Sequence, residues 1–284
     1  MELYNRLFRV SVGEAGSLGP AFSDLRCTFD IKKSTDSKQN SIAFSVYNLG
    51  PSTRTKFETL GNRVLIEAGY AAGGLQTLAV GDIVRAVSSY EHPEIVTKVE
   101  AGDGDKALTS KRVSLSYKGG TAAKTMVQEI VDAFEIDQTD IPIDLSGAFK
   151  SAWSYVGRAR DAMDQLAVRF GFEWSIQNNT LQITPKDKPS QRQAVVLSAS
   201  SGLIGYPAPL DDMRGESDKS KKKEPPGIRV VSLLNPSIIP GDPIIVDSVL
   251  TGRATFKVKA VQHRGDTHAA RWETEVECLE TTSK

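Results

Sequence analysis

Cysteine and histidine are scarce in this chain: two cysteines and three histidines in 284 residues. Two thiols near opposite ends make no disulfide framework. Cys27 shares parity with Leu25, Phe29 and Ile31, and Cys278 with Trp272 and Val276. That pattern predicts two buried free thiols packed as small hydrophobes. The alternative, a bridge between the two ends, conflicts with the reducing compartment expected below. Charge of one sign is also missing, since 35 basic residues meet 35 acidic ones. A surface built throughout to neutralise phosphates is thereby excluded, although a local basic patch is not. No apolar run approaches the roughly 18 residues of a membrane span. The start, MELYNRLFRVSV, lacks a long apolar region with a small-residue cleavage site. A secretory signal is therefore not expected, and the chain reads as made and assembled in a reducing cytoplasm.

Catalytic and cofactor signatures are missing too. There is no GxxxxGK[ST] phosphate loop, no GxGxxG after a strand and no GxSxG nucleophile elbow. His263, Asp266 and His268 cluster in HRGDTH, but they read as a solvated hairpin turn whose side chains scatter, not as a metal site. Arg264-Gly265-Asp266, an adhesion-like tripeptide, reads as ordinary turn chemistry. Asp103 and Asp105 lack the rest of a calcium loop and read as a β-turn. No catalytic, cofactor-binding or metal-binding residue is assigned, and the chain reads as a structural or binding protein rather than an enzyme.

What is present is ordinary globular composition, 39% hydrophobic and 25% charged, long enough for two domains. Residues 1 to 118 read as short strands rich in β-branched and aromatic residues, separated by turn clusters. Ile42, Phe44 and Val46 alternate, as do Val64, Ile66, Ala68 and Tyr70, which predicts strands with one buried face. Two strands are expected around His92-Pro93. The period changes after Gly119-Gly120. Ala123, Met126, Val127, Ile130, Val131 and Phe134 form one helical stripe, with Thr121 as the expected N-cap. A second stripe holds Ala159, Ala162, Met163, Leu166, Ala167 and Phe170, with Gly171 as the left-handed cap. Asn178-Asn179 then marks a two-residue hairpin. From residue 191 strands return, with Pro240-Gly241 fitting the centre of a type II turn. Residues 211–224 carry ten charged side chains of fourteen and read, with the segment to 226, as an exposed loop. The fold class expected is mainly β: two β-barrel domains, 1–118 and 191–284, flanking an α/β module at 119–190 made of two helices and a β-hairpin. Trp174 and Trp272 share parity with aliphatic residues and belong to a core, whereas Trp153 and Tyr155 are freer to anchor a protein contact. The segment from Ala86 to Asp105 is the other candidate contact, through Val87, Ile95, Val96 and Val99, because unpaired strand edges invite pairing.

Several segments in order resemble a known family. NRVLIEAGYAAGG followed by LAVGDIVRA is similar to the first-barrel pattern of phage baseplate hub proteins of the contractile-tail type. DQLAVRFGFEWSIQNNTLQITP resembles the family's helix-hairpin unit. SSGLIGYP, LLNPSIIPGDPIIVDS and AVQHRGDTHAARWETEVEC resemble its second barrel. The N-terminal hub part of type VI secretion spike proteins is related. The resemblance implies a homotrimer in the tail baseplate of a virion, assembled in the bacterial host cytoplasm. Two barrels per chain would give six around a channel, meeting the six-fold tail tube or its initiator protein above and the trimeric central spike below. Other baseplate proteins would be further partners, and DNA would only pass through the lumen, without cofactors or stable membrane insertion. The chain stops after the second barrel pattern, so puncturing and cell-wall cleavage are expected of separate partners. A carbohydrate-binding or cell-wall hydrolase protein of the tail, or a tube initiator, are the alternatives.

Overall fold

The computed structural model describes residues 4–14, 19–136, 138–140, 145–210 and 226–281. The charged stretch 211–225 lies outside them. The first strand-rich part holds β1 (Arg6–Gly13), β2 (Ala21–Phe22), β3 (Cys27–Ser34), β4 (Ser41–Tyr47), α1 (Pro51–Glu58), β5 (Arg63–Tyr70), β6 (Gly74–Glu91) and β7 (Glu94–Gly102). The middle holds α2 (Asp105–Ser110), β8 (Arg112–Tyr117), α3 (Ala123–Ala133), β9 (Gln138–Asp140), β10 (Trp153–Arg158), α4 (Ala159–Phe170), β11 (Phe172–Gln177) and β12 (Thr180–Pro185). The last part holds β13 (Val195–Ser198), β14 (Leu203–Pro209), β15 (Gly227–Leu233), β16 (Pro243–Ser248), β17 (Gly252–Asp266) and β18 (Trp272–Glu280).

Mainly β is the class observed, but the two closed barrels expected from the sequence are replaced by one open, 13-stranded sheet. The reason lies at the outer edge of β3. To close a first barrel, that edge would have to meet β1 or β2. It is instead occupied by β17, paired antiparallel from Ala260↔Ser34 to Asp266↔Thr28.

Within this sheet the chain contains the same unit twice. The first runs β3-β4-β7-β6-β5-β1 and the second runs β14-β15-β18-β17-β16-β13, so sequence order and spatial order match strand for strand. The equivalence extends to single residues. A β-bulge between Ile83 and Arg85 of β6 recurs between Val258 and Ala260 of β17. Counted from the bulge, Ser88 and His263 coincide. Each shares a 2.9 Å hydrogen bond with a fully buried threonine on the next strand, Thr97 and Thr274. One pairing differs: β1 meets β5 antiparallel, whereas β13 meets β16 parallel.

Alternation built these strands as the sequence implied, and the inward residues gather into separate cores. One core joins Val10, Ile31, Phe44, Ile66 and their neighbours, and takes in Leu234 and Trp272 from the second unit. Another collects Val230, Ile244, Val246, Val276 and Cys278. Both cysteines are buried free thiols. Gly265 is what lets the units meet closely. A Cβ there would stand 2.3 Å from the Phe29 ring and 2.8 Å from Trp272, which pack edge to face at 5.4 Å. Pro240-Gly241 makes the expected turn, with Gly241 at φ 91° and the Asp242 N–H bonded to Ile239.

The middle residues form a third core from both helical stripes, Trp174, Ile183 and also Leu108 and Leu115. Asn178 and Asn179 both take positive φ, joining β11 to β12. Gly171 is the left-handed cap of α4. Thr121 is not the N-cap of α3. Ala122 holds that place, and the Thr121 hydroxyl donates instead to the Lys118 carbonyl. The segment KRVSLSY, read with the first barrel, becomes β8 and pairs with β10 rather than with the large sheet.

A buried polar cluster fastens the hairpin tip to the sheet. The Asp103 carboxylate accepts the N–H groups of Asn178 (2.5 Å) and Asn179 (2.9 Å). Lys33, buried on the core face of β3, donates to the Asn178 side chain at 2.7 Å. Asn40 donates to the Ile176 carbonyl and Gln177 to that of Ser34. Burial pushes the Asp103 carboxyl up to about 6, against the downward pull of the Asn179 N–H, Lys33 and the Asn178 N–H. Lys33 is brought down by burial to about 8, and so stays charged while Asp103 titrates. A carboxyl with a higher pKa folded than unfolded withdraws stability as pH rises between the two values. Urea unfolding from about pH 4 to about pH 6 should therefore show Asp103 removing up to about 3 kcal/mol. Asp103→Asn should flatten that part of the curve. A variant with the wild-type slope would contradict this assignment.

Candidate assembly interface

The edges of the sheet, rather than a pocket, carry the features of a site. β6 has 18 residues, and its first half pairs with β5 as far as Asp82↔Arg63. Beyond that point, residues 84–91 pair only with β7 and turn back through a cis His92-Pro93 peptide, as Glu91↔Glu94 closes the hairpin. Among the described residues the other edge of 84–91 has no strand partner. Val84, Val87 and Tyr90 are exposed along it, Val87 at 49% and Tyr90 at 68%, and Leu60 is exposed after α1. At one end of the sheet, β14 has no strand partner on its outer side among the described residues, with Ile204 and Tyr206 exposed, Tyr206 at 68%. Exposed apolar side chains along unpaired edges are what a monomeric sheet ordinarily avoids.

The sequence-derived contact residues fall in different environments. Val87 is exposed. Ile95 is half-buried, with its N–H bonded to the Asn48 side chain at 3.0 Å. Val96 is buried, and Val99 is 1% exposed within the first core, opposite Phe44. Trp153 and Tyr155 sit side by side on β10, half-buried against the third core. Trp153 stacks on Tyr117 (6.0 Å), Phe149 (5.7 Å) and Tyr155 (5.9 Å), so its ring belongs to a continuous aromatic row. Sequence parity did not mark Tyr90 or Tyr206, because the bulge beside Val84 shifts the alternation along β6 and another displaces β14 between Ile204 and Ala208.

The HRGDTH cluster is a correction. His263 lies in strand β17 and is fully buried, its Nδ1 bonded to Thr274. Burial and nearby Lys33 hold its pKa well below the ordinary imidazole value, so it is neutral. Arg264-Gly265-Asp266 is strand as well, paired with β3. Parity with Val261 was the signal that His263 points inward. Among the described residues no three His, Cys, Asp or Glu side chains are placed to hold a metal ion.

A groove of about 520 Å³ on the polar face of the sheet is lined by Asp30, Lys98, Glu100, Arg264 and Asp266, among others. Its carboxylates are paired: Glu100 with Arg85, Asp266 with Arg26 at 3.0 Å, and Asp30 with Gln262 and Arg264. Burial, the largest single influence, raises the Asp266 pKa, but the bond to Arg26, the N–H groups of His268 and Ala269 and the Arg26 charge together outweigh it, and the net shift is downward. Such a group stays ionised and is unsuited to act as a general acid near neutrality.

No family model and no curated relative matches the chain. Solved structures do. The 43 kDa tail protein of prophage MuSo2 from Shewanella oneidensis superposes with a TM-score of 0.68 at 10% identity, covering 97% of both chains. A tail protein from Neisseria meningitidis gives 0.68 at 12% identity, over 98% of this chain and 97% of that one. A component of the E. coli type VI secretion system gives 0.63 at 13% identity, over 96% of this chain and 77% of that one. The chain therefore has the fold of phage tail proteins, in agreement with the hub-like motifs of its sequence.

The environments of Val99 and Val87 predict opposite results for one chemical change. Val99→Asp would bury an unpaired charge in the first core and should cost about 3 kcal/mol or more. Val87→Asp should stay within about 0.5 kcal/mol of wild type. Urea unfolding of the isolated variants measures both, and equal losses would refute the placement of the hairpin.

Proposed function

We propose that this chain is a structural hub of a phage tail, three copies of which form a ring that joins the six-fold tail tube to the three-fold central spike. The observation that carries the reading is the duplicated unit. Two six-stranded units of identical strand order in one chain give three copies six near-equivalent positions around an axis. A ring of that kind has approximate six-fold symmetry on one face while keeping a true three-fold axis. Residues 1–102 and 191–284 would supply the alternating positions, and 103–190, with α2 and β8, a module attached to each pair. The tail fold supports a place in the baseplate of the virion, with the tube or its initiator, the spike and other baseplate proteins as partners.

The alternatives have weaker support. A tube initiator built as a hexamer needs only one unit per chain, and this chain has two. A cell-wall hydrolase needs a carboxyl poised to donate a proton, and the carboxylates of the groove on the sheet are engaged by cations. The reading as a non-enzymatic structural protein rests on these features.

Native mass spectrometry of the full chain, alone and with its tube-side partner, tests the stoichiometry. Three copies per complex are expected. Six copies, or a single copy in the complex with the partner, would overturn the reading.

A further inference from the structure

Inside the chain, the two units are joined because the second half of β17 pairs with β3. The strand equivalent to β17 in the first unit is β6, and its second half, 84–91, has a free edge. The strand equivalent to β3 in the second unit is β14, whose outer edge is also free. We infer that residues 84–91 of β6 in one copy pair antiparallel with β14 of the next copy, reproducing between chains the β17–β3 junction found within one. This inference rests on the hub reading and names the surfaces that would close its ring.

The register follows from the equivalent residues. Counted from the shared bulge, Glu91 stands where Asp266 does and Ser89 where Arg264 does. Counted through β15 and β4, Ile204 stands where Thr28 does and Ala208 where Asp30 does. Asp266↔Thr28 and Arg264↔Asp30 inside the chain thus correspond to Glu91↔Ile204 and Ser89↔Ala208 between chains. Between those pairs the internal junction has Gly265 beneath Phe29. The external one would have Tyr90 facing the bulged residues of β14 that include Tyr206, bringing the two exposed tyrosines of these edges together.

Backbone polarity selects this pairing over a symmetric one. Leu210 donates its N–H inward to Gly227 of β15. By alternation Pro209, which is exposed, stands on the outer edge of β14, where it offers a carbonyl and no N–H. Two such edges facing each other would both lack a donor at Pro209, which weakens a symmetric ladder. On the hairpin, Ile95 bonds to Asn48 on the β4 side. Glu94 and Val96 therefore bond to β6 at Glu91 and Ser89, which leaves the N–H groups of Ala86, Ser88 and Tyr90 on the open edge. An edge with its donors intact meets one that lacks a donor at Pro209. The contact is head to tail, and a head-to-tail contact repeated around an axis closes a ring.

The experiment is disulfide trapping in the full chain. A chain carrying Ser89→Cys and Ala208→Cys would be oxidised and run without reductant, next to each single variant. The pair would be non-hydrogen-bonded, about 4.5 Å apart at Cα, within the range a disulfide spans. Asp30→Cys with Arg264→Cys is the control, because it should close the same register inside one chain. Native Cys27 and Cys278 are buried. The double variant should give a covalently closed three-chain species, and the single variants none. A native mass of three chains without this cross-link, while the control forms its own, would overturn the pairing and leave the hub reading standing. A native mass other than three, without the cross-link, would overturn both.

Discussion

The ladder between β17 and β3 is the constraint on which the rest of the molecule depends. It ties residues 28–34 to residues 260–266 and converts two strand-rich ends of the chain into one sheet. Trp272 enters the first core only because this ladder holds it there, against Phe29 and Phe8. Gly265 admits the aromatic contact, and His263 is buried neutral because it sits inside the junction. With the outer edge of β3 occupied, the first unit stays open at β6, and the equivalent edge of the second unit stays open at β14. These are the two edges that the proposed junction between copies would join.

The polar cluster at Asp103 does a different job. It fixes the hairpin of the middle module against the sheet through main-chain N–H groups and the buried Lys33. Directional bonds of this kind set an orientation that apolar packing alone leaves loose. Gly104 belongs to the same arrangement, since a Cβ there would stand 2.5 Å from Ile176.

Much of this was legible in the sequence, for identifiable reasons. Period-two alternation located β3, β4, β5 and β18, and period 3.6 located α3 and α4, because each has one face in a core. Asn178-Asn179 and Pro240-Gly241 announced turns through backbone preferences that tertiary structure did not override. What stayed hidden lacked a local signal. Helix α1 buries only Phe57 and has no apolar stripe. The bulge after Val258 reverses parity, so Ala260, read as inward, is only half-buried and Val261 takes the core position. The pairing of β17 with β3 joins residues more than 220 positions apart and leaves no periodic trace. The candidate contacts Val87 and Ile95 lie on the β6–β7 hairpin, one exposed and one half-buried. Burial of Val96 and Val99 could not be foreseen, because it depends on the strand lying against β7.

In the proposed ring, one chain supplies two adjacent positions of six. A density map of the assembled tail end by electron cryomicroscopy addresses it most directly. Three-fold symmetry is expected, with six similar β lobes around the axis and alternate junctions built from residues 260–266 and 28–34 of a single chain. A ring of six chains, or one in which the two units of a chain are not neighbours, would contradict it.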